Sequence, residues 1–199
     1  GARRHVERAR RYREAEQWDE VIQTLRTLID EYGEKMIEVA PRRYINLREY
    51  CHLEMSQLPA PALELYRQRV DSQAETIYRQ AVAARDEGEL RRLIEQSFAS
   101  SWTDDALWAL GEFALERGDY AQARSDWERL IPNSAVPDPP SNRLACADTD
   151  RDLAEIRARL ILVSILEGDA ERATGELAAY ETLHPQATGT LAGRDVVLG

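Results

Sequence analysis

The sequence predicts an all-α fold, a right-handed stack of about four antiparallel helix pairs. Apolar residues recur at helical spacing, and short polar breaks interrupt them. Equivalent positions recur at intervals near one repeat length or twice that length, since Leu90 and Ala123 are 33 residues apart and Val21 and Leu90 are 69 apart. Asn-Gly and Asp-Gly hairpin turns are absent, which argues against an all-β fold.

The clearest pair covers residues 103–131. Thr103 is the expected N-cap of its first helix, with two acidic residues in the first turn. Gly118-Asp119 is the expected break, and Pro132 closes the second helix. Similar patterns predict pairs over residues 2–33, 72–98 and 152–185, the last with a break at Gly168-Asp169.

The middle of the chain is less regular. Residues 35–45 contain Pro41 and are expected to be extended or irregular, and Asn46 begins a capping box for the next helix. Residues 46–70 form an irregular second unit, since two prolines interrupt it. Residues 132–150 are rich in proline and form either a functional loop or an exposed insertion. We expect all of these segments to belong to one repeat domain over residues 1–199.

Composition excludes several classes of protein. The chain is 43% hydrophobic and 31% charged, which is ordinary for a folded domain. Its net charge of −10 disfavours nucleic acid as a partner, because binding phosphates needs clustered Lys and Arg. No apolar run approaches the ~18 residues of a membrane span. Cys51 and Cys146 can pair only if the fold brings them together; two isolated thiols are the simpler interpretation.

The pattern of small and large residues resembles the tetratricopeptide repeat family. The residues that carry the resemblance are Leu107, Leu110, Gly111, Ala114, Tyr120, Ala123, Trp127 and Leu130 in the clearest pair, Gly168, Ala173, Leu177, Tyr180 and Pro185 in the last, and Tyr12, Trp18, Val21, Leu25 and Leu28 in the first. Residues 98–107 (FASSWTDDAL) are similar to the inter-repeat junction of periplasmic members that serve outer-membrane assembly. This resemblance implies an α-solenoid with a concave, partner-binding face.

A second resemblance covers residues 44–51, 63–67 and 148–168. These stretches are similar to the helical region of large bacterial envelope proteins that continue into a β-propeller like the pyrroloquinoline-quinone-binding type. It implies an interaction module in the periplasm or cell envelope, with any cofactor site outside these residues. The start at Gly1 and the uncapped end after Leu191 agree with a segment of a longer protein.

Three motifs that can carry chemistry are incomplete. Asp148-x-Asp150-x-Asp152 begins like a calcium loop, but Leu153 and Arg159 stand where an EF-hand needs Gly and Glu. The segment 189–193 lacks the Lys and Ser or Thr of a phosphate loop and is expected to be a loose C-terminal connection. Zinc spacings such as CxxC and HExxH are absent, so we predict neither a metal nor a cofactor.

Cys51-His52 is the one adjacent thiol–imidazole pair. Neighbours along a helix point about 100° apart, which places the imidazole badly for activating the sulfur. Packing therefore explains both residues better than catalysis does.

The register that the first resemblance implies places nine candidate partner-binding residues on the inward face: Arg3, Arg10, Arg13, Asp105, Trp108, Glu112, Leu115, Glu155 and Leu162. The arginines could hold an acidic peptide or a terminal carboxylate through bidentate forks. A solvated helix face, supported by Glu7 and Glu14, is the alternative for them. Trp108 is either a binding hot spot or a core residue.

We therefore predict a non-catalytic protein–protein interaction module. It binds a peptide or a partner domain in its concave groove, and neither nucleic acid nor membrane insertion is expected. Two alternatives stay open. The chain could be a structural spacer or assembly arm for a downstream β-propeller, or an enzyme that uses Cys51 or a carboxylate pair.

Overall fold

The computed structural model describes residues 1–191 and 194–197. Within them the chain forms nine α-helices, a short 3-10 helix at Asn133–Ala135 and two two-stranded hairpins. The helices are α1 Ala2–Glu14, α2 Trp18–Tyr32, α3 Leu47–Ser56, α4 Ala60–Ala84, α5 Glu87–Ser97, α6 Thr103–Glu116, α7 Tyr120–Glu128, α8 Leu153–Leu166 and α9 Ala170–Leu183; the strands are β1 Met36–Ala40, β2 Arg43–Asn46, β3 Thr188–Leu191 and β4 Arg194–Val197.

Helices adjacent in sequence pack as pairs. α1 packs against α2, α4 against α5 and α8 against α9. In the α6–α7 pair, the buried Trp127 indole of α7 donates a hydrogen bond to the Trp108 carbonyl of α6 at 3.3 Å. The prediction of a mostly helical chain built from sequential helix pairs is confirmed.

The four pairs share one turn geometry. Each has a residue in the left-handed region, with φ between 53° and 79°, at Glu16, Arg85, Gly118 and Gly168. The next residue donates its backbone N–H to the carbonyl five positions earlier at 2.8–3.0 Å, which closes the preceding helix as a Schellman turn does. In three of these turns the residue after the left-handed one is an aspartate: Asp86, Asp119 or Asp169. The Oδ1 of each aspartate accepts a hydrogen bond from the backbone N–H of the residue three positions later, which caps the second helix of the pair.

The chain forms two units. The first comprises Gly1–Ala106 and Asn133–Ala147. Its core is built on α2, which packs against α1, α3 and α4. Fully buried large side chains fill it: Ile22, Leu25, Leu28, Leu47, Met55 and Tyr66.

Two segments of the first unit differ from expectation. β1 and β2 pair antiparallel where extended or irregular chain was expected: the chain is extended, but its pairing as a hairpin was not predicted, and Arg42, at φ 64°, follows Pro41 in the connecting turn. A proline followed by a positive φ is typical of a type II turn, which joins strands without an Asn-Gly signal. α4 continues unbroken across the expected boundary between residues 70 and 72, because its prolines stand only at its N-terminal end, where a helix tolerates them.

The predicted cap of α3 is confirmed, whereas that of α6 is wrong. The Asn46 side chain accepts the backbone N–H of Glu49 at 2.7 Å. Thr103 lies inside α6, and its hydroxyl donates to the Ser97 carbonyl at 3.1 Å instead of accepting from the first turn. The Pro-rich segment is only partly exposed: Asn133 and Arg143 hydrogen-bond to each other, and Ala145 and Cys146 are buried.

The second unit comprises Leu107–Pro132 and the chain from Asp148 onward. Within it α7 packs against α8, and α8 against α9. The Arg124 guanidinium of α7 joins all three helices. It donates to Glu176 of α9 at 2.8 Å, and to the Leu160 carbonyl at 2.8 Å and the Ser164 hydroxyl at 2.5 Å, both in α8.

The chain after α9 departs from the prediction of a loose connection. β3 and β4 pair antiparallel, with Thr188 opposite Val197 and Leu191 opposite Arg194. Ala192 and Gly193, which belong to the segment in question, lie outside the described residues, as does the end of the chain at residues 198 and 199. Among the helices that the structure describes, none combines the length and apolar character needed to cross a bilayer.

Candidate functional site

The second unit presents a half-buried tryptophan between cations. Two arginines lie near the ring of Trp108, which is on α6: the Arg151 Cζ is 4.7 Å and the Arg159 Cζ 5.5 Å from the ring centroid. The Trp127 ring packs against it at 5.8 Å between centroids, tilted by 40°. A partly accessible tryptophan offers a large apolar area for contact, and the guanidinium groups near its ring add positive charge and hydrogen-bond donors beside that area.

An ion pair borders this tryptophan. Arg159 Nε of α8 lies 3.0 Å from Glu112 Oε1 of α6, with both side chains about one third exposed. Neither of these two buried atoms has an aligned hydrogen bond. Buried polar atoms without such a bond are rare, and this ion pair holds the Arg159 side chain against α6 beside Trp108.

A groove continues along α8 from Arg159. Glu155, Ala158, Arg159 and Leu162 line it at helical spacing, and Tyr180 of α9 lies on its other side. The volume of the groove is about 810 Å³. Burial raises the pKa of Tyr180, and the nearby Asp152 carboxylate raises it further, so its hydroxyl stays protonated and can donate.

Local sequence fixes these residues. Asp152 Oδ1 accepts the Ala154 N–H at 2.8 Å and so begins α8. Gly111 of α6 lets the Trp127 indole approach the helix backbone, since a Cβ at this position would lie 2.2 Å from Trp127 Nε1. This contact holds α6 and α7 together beneath Trp108.

Four of the nine predicted residues lie around Arg159: Trp108 and Glu112 contact it, and Glu155 and Leu162 line the same groove. Leu115 is half-buried further along α6. Asp105 belongs to the first unit.

The predicted arginine cluster is largely engaged within the first unit. Arg13 pairs with Glu54 at 2.5 Å and donates to the Gln57 carbonyl at 3.3 Å. A hydrogen bond with the Tyr50 hydroxyl raises the pKa of Arg10. Arg3 is 92% exposed and lies 3.4 Å from Glu7. The three arginines therefore do not converge on one ligand position, although Arg3 and Arg10 both line a groove of about 510 Å³ beside β1.

The thiol–imidazole pair is placed for packing. Cys51 is fully buried, and burial raises the pKa of its thiol to about 12, so it carries little of the thiolate that a nucleophile needs. The His52 Nε2 lies 2.8 Å from the Glu95 carbonyl oxygen. Cys146 is also a buried thiol.

Of the three aspartates in residues 148–152, one has a role at a helix terminus. Asp152 caps α8, whereas the side chains of Asp148 and Asp150 are exposed. In the described part of the chain, no group of three or more His, Cys, Asp or Glu side chains could hold a metal ion.

Sequence reasoning missed Arg151 and Arg159. Arg159 stands where a calcium loop needs Glu, but it also lies four residues after Glu155 and three before Leu162, on the helix face that carries those two residues. The helical spacing could have identified it. Arg151 precedes α8, and no periodicity indicates that it reaches Trp108.

Comparison of the chain with protein-family models, with curated proteins and with solved structures returns no significant match.

Proposed function

We propose that this chain is a non-catalytic protein–protein interaction module, folded as a right-handed stack of tetratricopeptide-like helix pairs. It binds a peptide or partner domain through the concave face of the stack. The Trp108 surface, made of Trp108, Glu112, Arg159, Glu155 and Leu162, is the part of that face in the second unit.

Two structural features support the repeat interpretation. One Schellman-type turn recurs in four helix pairs, at residues 16–17, 85–86, 118–119 and 168–169. The small-residue position at Gly111 receives the large Trp127 of the paired helix, which is the small–large complementarity that the family pattern implies.

The observation that carries the binding proposal is the Glu112–Arg159 pair beside Trp108. The buried Nε and Oε1 atoms of this pair are not aligned for a hydrogen bond. Such an ion pair adds little to the free energy of unfolding, because the cost of desolvating the two charges offsets much of their attraction. On a binding face the partly exposed parts of the same two side chains can hydrogen-bond to a partner. Tryptophan and arginine are also the residue types most enriched at interface hot spots.

The chemistry of the surface indicates its partner. Trp108 and Leu162 offer apolar contact, Arg159 offers a guanidinium fork and Glu155 an exposed carboxylate. A segment with an apolar anchor flanked by polar groups of both charges complements this arrangement.

We place the module in a larger envelope protein, on the resemblance of residues 44–51, 63–67 and 148–168 to propeller-associated helical regions. The complete coding sequence tests this placement, since it predicts a signal peptide before the chain and a propeller after it. If the chain were a spacer only, the Trp108 surface would bind nothing.

A random-peptide display selection against the immobilised chain tests the binding function. We expect peptides whose affinity for a Trp108→Ala variant is at least about tenfold weaker, because hot-spot truncation costs about 2 kcal/mol or more. Trp102→Ala is the matched control, since Trp102 is also half-buried with an arginine, Arg79, 5.5 Å from its ring centroid.

A second pair of variants keeps the test informative if Trp108→Ala unfolds. Arg159→Gln removes the guanidinium from the surface, and Arg172→Gln removes an ion-paired arginine from α9 that does not line the groove. Loss of affinity in Arg159→Gln alone supports the proposal. Equal affinity for all variants, or a selection that enriches no peptide, contradicts it and favours the spacer.

A further inference from the structure

The groove along α8 ends at two carboxylates. Asp152, at the N-cap of α8, and Glu155, in its first turn, both line the groove, and both side chains are exposed. Asp152 accepts the Ala154 N–H through Oδ1, which leaves Oδ2 available. Neither carboxylate forms an ion pair with a cation of the described chain. One wall of the groove therefore carries two negative charges that no cation of this chain pairs with.

The charge around the groove stays negative when the nearby cations are counted. Arg159 also lines the groove, but Glu112 lies 3.0 Å from it, so this pair adds no net charge. Arg151 precedes Asp152 in sequence, and its guanidinium lies over a tryptophan ring, 4.7 Å from the centroid, outside the groove lining. Even with Arg151 included, three carboxylates stand against two guanidinium groups. The balance therefore favours a cationic ligand group.

A buried tyrosine completes this end of the groove. Tyr180 of α9 lines the groove, is 4% exposed and packs against the His184 ring, with centroids 5.2 Å apart. Its hydroxyl forms no hydrogen bond within the described chain, although buried polar groups are normally paired. Burial raises the pKa of Tyr180 and the nearby Asp152 carboxylate raises it further, so the protonated hydroxyl and the carboxylate border the same space. The unpaired hydroxyl is a second, independent indication of a ligand group at this position.

We propose that this acidic end, defined by Asp152, Glu155 and Tyr180, binds a lysine or arginine side chain of the partner segment, an inference that rests on the proposed function. Both side chains carry only hydrogen-bond donors, whereas the two carboxylates and the tyrosine oxygen can all accept. Hydrogen bonds between such charged groups are about twice as strong as neutral ones. Residues 101–199 contain 18 acidic and 9 basic side chains, so the wider field of this half of the chain also attracts a basic partner.

This inference narrows the chemistry of the partner. Trp108 and Leu162 contact its apolar anchor, and the acidic end selects a basic residue close to that anchor. An acidic residue at the same place would be repelled by both carboxylates.

Random-peptide display against the immobilised chain, read by sequencing, tests the selection of a basic residue. We expect lysine and arginine to be enriched about threefold or more over the input library. On an Asp152→Asn/Glu155→Gln double variant their frequency should fall to that of the library. This variant should keep its fold, because asparagine caps a helix as well as aspartate does and Glu155 is exposed.

Asp169→Asn/Glu171→Gln is the matched control. These residues are the N-cap and a first-turn acid of α9, the net charge changes equally, and neither residue lines the groove. In fluorescence anisotropy, a selected peptide should bind the groove double variant about tenfold more weakly and the control variant like the parent. Tyr180→Phe should weaken binding about threefold, since it removes one acceptor and no charge.

The peptide supplies the other half of the test. Replacing its basic residue by glutamine should weaken binding to the parent about tenfold, but should have little effect on binding to the groove double variant. An equal effect on both proteins would show that the basic residue contacts another part of the chain, and would overturn the inference.

Three further outcomes would also overturn it. Selected peptides that depend on Trp108 but show no enrichment of lysine and arginine would refute this inference alone and leave the proposed function standing, whereas a selection that enriches no peptide would refute both. Equal loss of affinity in the two double variants would show a general charge effect. A homodimer in analytical ultracentrifugation that the groove double variant dissociates would show that a second copy of the chain occupies the groove.

Discussion

Gly111→Ala is expected to destabilise the chain although it places a better helix former inside α6. An added Cβ would lie 2.2, 2.4 and 2.6 Å from three atoms of the Trp127 indole, whereas ordinary contact begins near 3.4 Å. The indole is fully buried and packs against Trp108, so it has little room to retreat. The φ of Gly111 is not positive, and its role is therefore to allow close approach.

The magnitude follows from two opposing effects. Replacing glycine by alanine in a helix contributes about 1 kcal/mol of stability. Overpacking a well-filled core costs about 1–3 kcal/mol, and displacing the indole also strains its 3.3 Å hydrogen bond to the Trp108 carbonyl, worth about 1 kcal/mol. We expect a net loss of about 2 kcal/mol in the free energy of unfolding.

Urea unfolding followed by circular dichroism measures this loss. Gly175→Ala is the matched control, because Gly175 also lies inside a helix of the second unit, but a Cβ there meets nothing within 4 Å. It should gain up to about 1 kcal/mol. If Gly111→Ala were as stable as the parent or more so, the close packing of α6 on α7 would be refuted.

Three further predictions concern single contacts. Arg124→Ala should lower the free energy of unfolding by about 2 kcal/mol, since it removes the cation that pairs with Glu176 and the donor to Ser164. Arg172→Ala, at an exposed pair, should change it by less than about 0.5 kcal/mol, and equal effects in urea unfolding would contradict the three-helix network. Asn46→Ala should cost about 1 kcal/mol by removing the cap of α3, and an unchanged urea midpoint would oppose this role. Stability should fall as pH rises from about 9 towards 12, because the unfolded thiol of Cys51 ionises there and the buried one does not; a Cys51→Ala chain with the same pH dependence would exclude this origin.

Local signals predicted most of the helices. The breaks at Gly118-Asp119 and Gly168-Asp169 combine a residue that tolerates positive φ with an N-capping aspartate, and both requirements are encoded by adjacent residues. The Asn46 cap was predictable for the same reason. The left-handed residues Glu16 and Arg85 are not glycines, so their positive φ carries no such signal, and only the second is followed by a capping aspartate, Asp86.

The hairpin of β1 and β2 was not predictable from periodicity. Its strands are largely exposed, with Met36 at 61% and Tyr44 at 56%, so they lack the alternation of buried and exposed residues that marks a strand. The unbroken course of α4 differs from the boundary predicted between residues 70 and 72, a position that no proline or glycine marks.

The candidate site was only half predictable. Helical spacing places Trp108 with Glu112, and Glu155 with Leu162, each pair on one helix face. That Arg159 joins the two faces depends on how α6 and α8 lie within the second unit.

The central claim is that recognition occurs on the face shared by α6 and α8. Amide hydrogen exchange, measured with and without a peptide selected on the chain, tests it most directly. We expect the peptide to slow exchange within Thr103–Glu116 and Leu153–Leu166, and to lose this effect in Trp108→Ala but not in Trp102→Ala. Slower exchange confined to other helices, with α6 and α8 unaffected, would contradict the claim.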